Sequence, residues 1–169
     1  MTALPSSPAP RPSGPAPARS RSTPSPPTSG SNRINIYGTL DVSLLTAGTY
    51  SAFQIGSQGA VTTKVGIQMA QNSTLTNYGT ISGFTGGSSS GAIKTYGDCD
   101  IANFGSISGY YGVVLGSTTD NGDQLNNMGT IFGNHVGVQM RGTSEAVLNA
   151  GTISSTGTAV DIYGEYSGP

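Results

Sequence analysis

Two short acidic phrases carry the residues best suited to chemistry: Asp98 and Asp100 flank Cys99 in GDCD, and Asp120 and Asp123 close TDNGD. General acid and base work on a glycosidic bond needs two carboxylates a few ångströms apart, and the same oxygens would suit a hard cation such as calcium. At spacing two on a strand, Asp98 and Asp100 would share a face. Asp120 and Asp123 would join them if their insertion folds back. The plainer reading is that all four are solvated turn residues, because Asp beside Gly is ordinary turn chemistry. Catalysis would also need a basic partner, and Arg141, the sole Arg of residues 34–169, stands in a separate phrase, VQMRG.

The other reactive side chains are few. His135 in GNHVG is the single histidine, which excludes a site built from several imidazoles; it reads as a surface turn residue. No G-x-S-x-G phrase surrounds a serine to pair with it. Cys99, the single cysteine, rules out an intrachain disulfide or a multi-cysteine metal site. Its acidic neighbours should raise its pKa and leave an inert thiol. The glycine-rich GFTGGSSSG lacks the Lys-Ser/Thr ending and the helix of a P-loop, so it reads as a flexible loop. Tyr96, Tyr163, Tyr110 and Tyr111 are the candidate binding residues, since exposed aromatic rings can stack on sugars or grip a protein partner.

These residues sit within a repeat. NYGTISG, NFGSISG, NMGTIFG and NAGTISS begin at Asn77, Asn103, Asn127 and Asn149, at spacings of 26, 24 and 22 residues. An aliphatic stands two residues before each Asn, at Leu75, Ile101, Leu125 and Val147, and an isoleucine four residues after it. A second phrase follows in each unit, as in GIQMA, AIKTYG, GVVLG, GVQMRG and AVDIYG. Apolar residues alternating between glycines mean short strands. Short strands at such a period mean a solenoid, whose units bury their inward residues by stacking. The fold expected is therefore all-β, a parallel β-solenoid of about five coils over residues 34–169, with residues 34–64 a degenerate first coil. Gly79, Gly105, Gly129 and Gly151 would permit the corner bend. The Asn column would form an amide ladder in left-handed turn conformations.

Residues 1–33 are rich in Pro, Ser and Ala and hold one large aliphatic, Leu4. They cannot bury enough apolar surface to offset the entropy of ordering and read as disordered. They lack a signal peptide's apolar run, and no stretch of the chain approaches the ~18 apolar residues of a membrane helix. Arg11, Arg19, Arg21 and Arg33 supply four of the seven basic residues, leaving Lys64, Lys94 and Arg141 against all eight acids. A mildly acidic body argues against nucleic acid, which needs a basic face. Nothing after Gly164 reads as a cap, so end-to-end contact with further repeats or a cap is expected.

The N-x-G-T-I-x-G and G-V-x-L-x-G phrases of residues 34–164 resemble those of large secreted bacterial β-helix proteins, namely autotransporter passenger domains and the N-terminal repeat regions of secreted calcium-binding repeat proteins. The resemblance implies a right-handed parallel β-helix on the bacterial cell surface or in the medium, often an adhesin that meets host or surface glycans or other surface proteins. It also implies calcium as a ligand, although the chain lacks the G-G-x-G-x-D-x-U-x nonapeptide. The function expected is a non-enzymatic stalk or adhesive surface without a required cofactor. A polysaccharide lyase or glycoside hydrolase, and a calcium-dependent module, are the alternatives.

Overall fold

The computed structural model describes residues 32–83, 91–116 and 122–163. Their elements stack as six rungs, five turns from first to last. The first holds β1 (Arg33–Ile36) and β2 (Thr39–Ala47), and the second β3 (Ala52–Ile55) and β4 (Ala60–Met69). The third holds β5 (Thr74–Asn77), β6 (Thr80–Gly83) and β7 (Gly91–Thr95); the fourth β8 (Asp100–Asn103) and β9 (Ser106–Leu115). The fifth holds β10 (Gln124–Asn127) and β11 (Thr130–Met140), the sixth β12 (Ala146–Asn149), β13 (Thr152–Ser155) and β14 (Thr158–Ile162). The expected all-β parallel solenoid is what the chain forms. Residues 34–64, however, belong to two rungs rather than one degenerate coil, and Arg33, assigned to the disordered segment, already lies in β1. The rest of that segment, residues 1–31, lies outside the described residues, as do the glycine-rich loop at 84–90 and Asp120.

All strand pairs are parallel. One sheet has the order β1-β3-β5-β8-β10-β12, and a second runs β13-β11-β9-β6-β4-β2 with β7 and β14 completing its far half. The long strands of the second sheet bend midway, as the register shift between Gly133 and Val136 shows. Each rung thus has three straight runs, and their inward residues align in columns. Phe53, Leu75, Ile101 and Leu125 form one column, and Val61, Ile81, Ile107 and Ile131 another. Ile67, Ile93, Val113 and Val138 form a third, and every residue of the three is buried. Removing each such side chain from water stabilises the fold by about 1.5–3 kcal/mol, yet no rung has enough of them to stand alone. At the sixth rung the third column is open, with Val160 42% exposed and Ile162, two residues on, 73% exposed.

Candidate functional site

The corner between the two sheets is built by the repeated Asn. Asn77 donates through Nδ2 to Asn103 Oδ1 at 2.8 Å, Asn103 to Asn127 at 2.7 Å, and Asn127 to Asn149 at 2.7 Å. The main-chain oxygens of Asn77, Asn103 and Asn127 each accept two more bonds from the next rung: Asn77 O takes the N–H groups of Phe104 at 2.8 Å and Gly105 at 3.0 Å. Asn77, Asn103 and Asn127 are fully buried, so every polar atom needs the partner it has. The ladder is as expected, but its backbone is not. None of the four Asn has a positive φ, and the glycines serve proximity rather than a bend. A Cβ on Gly105 would overlap the carbonyl oxygen of Gly79, and one on Gly129 that of Gly105. Substituents there would push the rungs apart.

The left-handed non-glycine residues Tyr50, Asn72, Asp98 and Ser144, with Gly122 in the equivalent place, sit at another corner, where the second to sixth rungs enter the first sheet. The residue after each begins a second inward polar column of Ser51, Ser73, Cys99, Asp123 and Glu145, since their successors pair from rung to rung. Ser51 N–H donates to Ser73 Oγ at 3.2 Å, and Cys99 N–H to Asp123 Oδ1 at 2.8 Å, the same bond two steps further along the column. Asp123 Oδ2 also accepts from Thr95 Oγ1 at 2.5 Å, and Gly116 N–H donates to that Thr95 hydroxyl at 2.9 Å.

The three described carboxylates among the four proposed from sequence therefore separate. Asp123 is a buried structural acceptor and not a solvated turn residue. Asp98 is exposed in a bend at φ 51°, so it does not share a strand face with Asp100. Asp100 is exposed at the start of β8. Arg141 donates from Nε to Gln139 Oε1 at 2.6 Å, and Gln139 in turn donates to Asp161 at 2.8 Å. Among the described residues no group of three His, Cys, Asp or Glu side chains converges as a metal site would require. The Cys99 thiol is pushed up from 9.0 to about 11, first by burial and then by Asp123, rather than by its neighbours in sequence. It lies 3.2 Å from Ala70 O and 3.3 Å from Gly97 O. At neutral pH such a thiol is protonated and a poor nucleophile.

The tyrosines divide as well. Tyr111 is not an exposed binding ring: it is buried, packed with Val114 and Val136. Half-buried Tyr110 stacks on exposed His135 with centroids 5.2 Å apart, and His135 lies within β11 rather than in a turn. Lys94 Nζ stands 4.9 Å from the ring centre of Tyr96, an attractive cation–π geometry. Tyr163 is exposed and donates its N–H to Met140 O at 2.7 Å. Apart from Tyr163, each proposed ring has a neighbour on a surface that a sugar would need.

Sequence reasoning missed two features outside the Asn corner. One is a ridge of Tyr78, Phe104 and Met128, the residues between Asn and Gly in the first three repeats, all exposed, with Tyr78 and Phe104 stacked at 4.9 Å and 11°. The other is a groove of about 390 Å³ on the outer face of the first sheet, among Thr76, Asp100, Ala102, Gln124, Asn126 and Leu148. Reading the outward positions of TLTN, DIAN, QLNN and AVLN as columns would have found it. Comparison with known proteins adds no name to these surfaces: no family model matches the chain, and neither a curated protein nor a solved structure matches it.

Proposed function

We propose that this chain is a non-enzymatic segment of a secreted or cell-surface bacterial solenoid, similar to an autotransporter passenger, serving as stalk and adhesive surface. The observation that carries the reading is a broad uncharged side beside the amide ladder. From the third rung to the sixth, four neighbouring outward columns contain no charged residue: Thr76 to Leu148, Tyr78 to Ala150, Thr80 to Thr152, and Ser82 to Ser154. Hydroxyls, amides and aromatic edges on a register-locked face suit contact with uncharged polar partners at close range. The non-enzymatic part is supported by the carboxylates. Asp123 holds the fold together, and Asp100 has no Lys or Arg among the residues lining its groove.

An antibody to the repeat, applied to fractionated cells of the native host, tests this reading. The expected result is product in the outer membrane or the medium. Product confined to the cytosol overturns the surface assignment.

A further inference from the structure

We propose that the groove around Ala102 on the outer face of the first sheet binds a segment of neutral oligosaccharide, held by Asp100, Gln124 and Asn126. The inference rests on the reading of the solenoid as a binding surface and assigns that surface a place and a ligand class.

The geometry follows from the register. Ala102 is flanked in its own column by Thr76 and Asn126, and the adjoining outward column places Asp100 beside Gln124. Neighbouring strands lie about 4.8 Å apart and alternate residues on one face about 6.8 Å apart, so the four polar side chains frame the alanine methyl. A short residue between longer ones makes the depression of about 390 Å³, within the ~300–1,000 Å³ range of ligand sites. A pyranose has an apolar C–H face and a rim of hydroxyls. The methyl floor fits the face, and the surrounding groups fit the rim: a carboxylate accepts from two hydroxyls at once, while each amide both donates and accepts.

Charge selects the class of sugar. The groove has one carboxylate and no basic residue among those lining it, so uronate or sulfated chains would be repelled where a neutral chain is not. Asn126 adds a second sign of an unfilled role. Its Oδ1 is buried with no hydrogen-bond partner, an arrangement that costs free energy in a closed structure. Turning the amide outward breaks no bond to that oxygen and presents it to a ligand hydroxyl. The tyrosine surfaces compete poorly for the same ligand, because Tyr111 is buried, Tyr110 is stacked on His135 and Tyr96 faces Lys94.

Calorimetric titration of the full chain with cellohexaose, laminarihexaose, mannohexaose and N-acetylchitohexaose, with oligogalacturonate as the acidic comparison, tests the proposal. At least one neutral probe should bind, and more tightly than oligogalacturonate. Ala102→Tyr, which fills the groove from an outward position, should weaken that binding at least about tenfold, and Lys64→Ala, exposed on β4 of the second sheet and outside the uncharged columns, should leave it unchanged. Should Ala102→Tyr lower the melting temperature, the paired truncation Gln124→Ala, Asn126→Ala makes the same test without added bulk. Lack of binding by every neutral probe, preference for the acidic one, or binding indifferent to these variants overturns the groove assignment. The probes recovered afterwards separate the two readings. A bound and cleaved probe contradicts the non-enzymatic function but leaves the groove in place, whereas a surface-located chain that binds none removes the groove alone.

Discussion

Two buried polar columns run through this solenoid and solve one problem in opposite ways. At the corner between the sheets, every step from the third rung to the sixth is Asn on Asn, and Asn103 and Asn127 are each at once donor to the next rung and acceptor from the one before. At the corner that opens the first sheet, the column changes identity at nearly every rung, from Ser51 and Ser73 to Cys99, Asp123 and Glu145. Among the Asn rungs the first corner is self-complementary, so any of them can follow any other. The second requires each rung to match its neighbour, and Asp123 does so by accepting from both Cys99 N–H and the Thr95 hydroxyl. A uniform ladder builds length, while a mixed column fixes which rung sits on which.

The sharpest way to break the comparison is in the middle of the uniform ladder. Asn103→Ala leaves Asn77 Nδ2 without its amide acceptor and Asn127 Oδ1 without its donor. Asn77 Nδ2 keeps only Ser106 O at 3.2 Å, so one buried orphan at about 1–3 kcal/mol, a weakened donor and the lost Asn103 bond to Thr130 O predict a loss of roughly 4 kcal/mol in urea unfolding. Asp123→Ala should cost less, about 2–3 kcal/mol, because Thr95 Oγ1 keeps a contact with Val114 O at 3.4 Å while Cys99 N–H loses its acceptor. Asp123→Ser returns the oxygen used elsewhere in that column and should recover part of the loss; no recovery would mean that the charge matters, not the column.

The mixed column also carries a pH dependence that the ladder lacks. The Cys99 thiol is raised from 9.0 to about 11 in the folded chain, so between these values the native state holds a proton that the unfolded chain has released. Stability from this group is complete below about pH 9 and declines as pH rises through 11, by about 2 kcal/mol for a shift of that size. Thermal unfolding of wild type and Cys99→Ala across pH 8–11 should therefore converge in the alkaline range as the wild-type penalty grows. The smallest effect belongs to the ladder's last member. Asn149 is exposed, its Nδ2 donates within its own turn to Gly151 O at 3.2 Å, and Asn127 Nδ2, on losing Asn149 Oδ1, keeps Thr152 O at 3.2 Å, so Asn149→Ala should cost only about 1 kcal/mol by the same denaturation assay.

The two columns were not equally legible in the sequence. The Asn column declares itself because one residue type recurs beside Gly at a near-constant period, and the inward aliphatics follow by alternation. What the motif conceals is why Gly is there: the contact that excludes a Cβ on Gly105 is with a residue 26 positions earlier, Gly79. The first two rungs were merged because Ile36 and Ile55 stand where later rungs have Asn, so the marker residue is missing although the column continues. Asp123 looked like a solvated turn residue because its neighbours in STTDNGD are all small or polar. The available signal was Thr95, a polar side chain at an inward position between Met69 and Leu115 in adjacent rungs, which demanded a buried partner. The groove at Ala102 was overlooked for a simpler reason. Its residues belong to outward positions that periodicity treats as filler, and they acquire a shared surface only when the strands are laid in register.

Side-chain amide hydrogen exchange of the four ladder asparagines, resolved by NMR, tests the claim that the uniform column is a continuous buried chain of bonds. The Nδ2 protons of Asn103 and Asn127 should exchange only through global unfolding, orders of magnitude more slowly than those of Asn149. Exchange at Asn103 as fast as at Asn149 would mean that the ladder opens rung by rung, and that the register is held elsewhere.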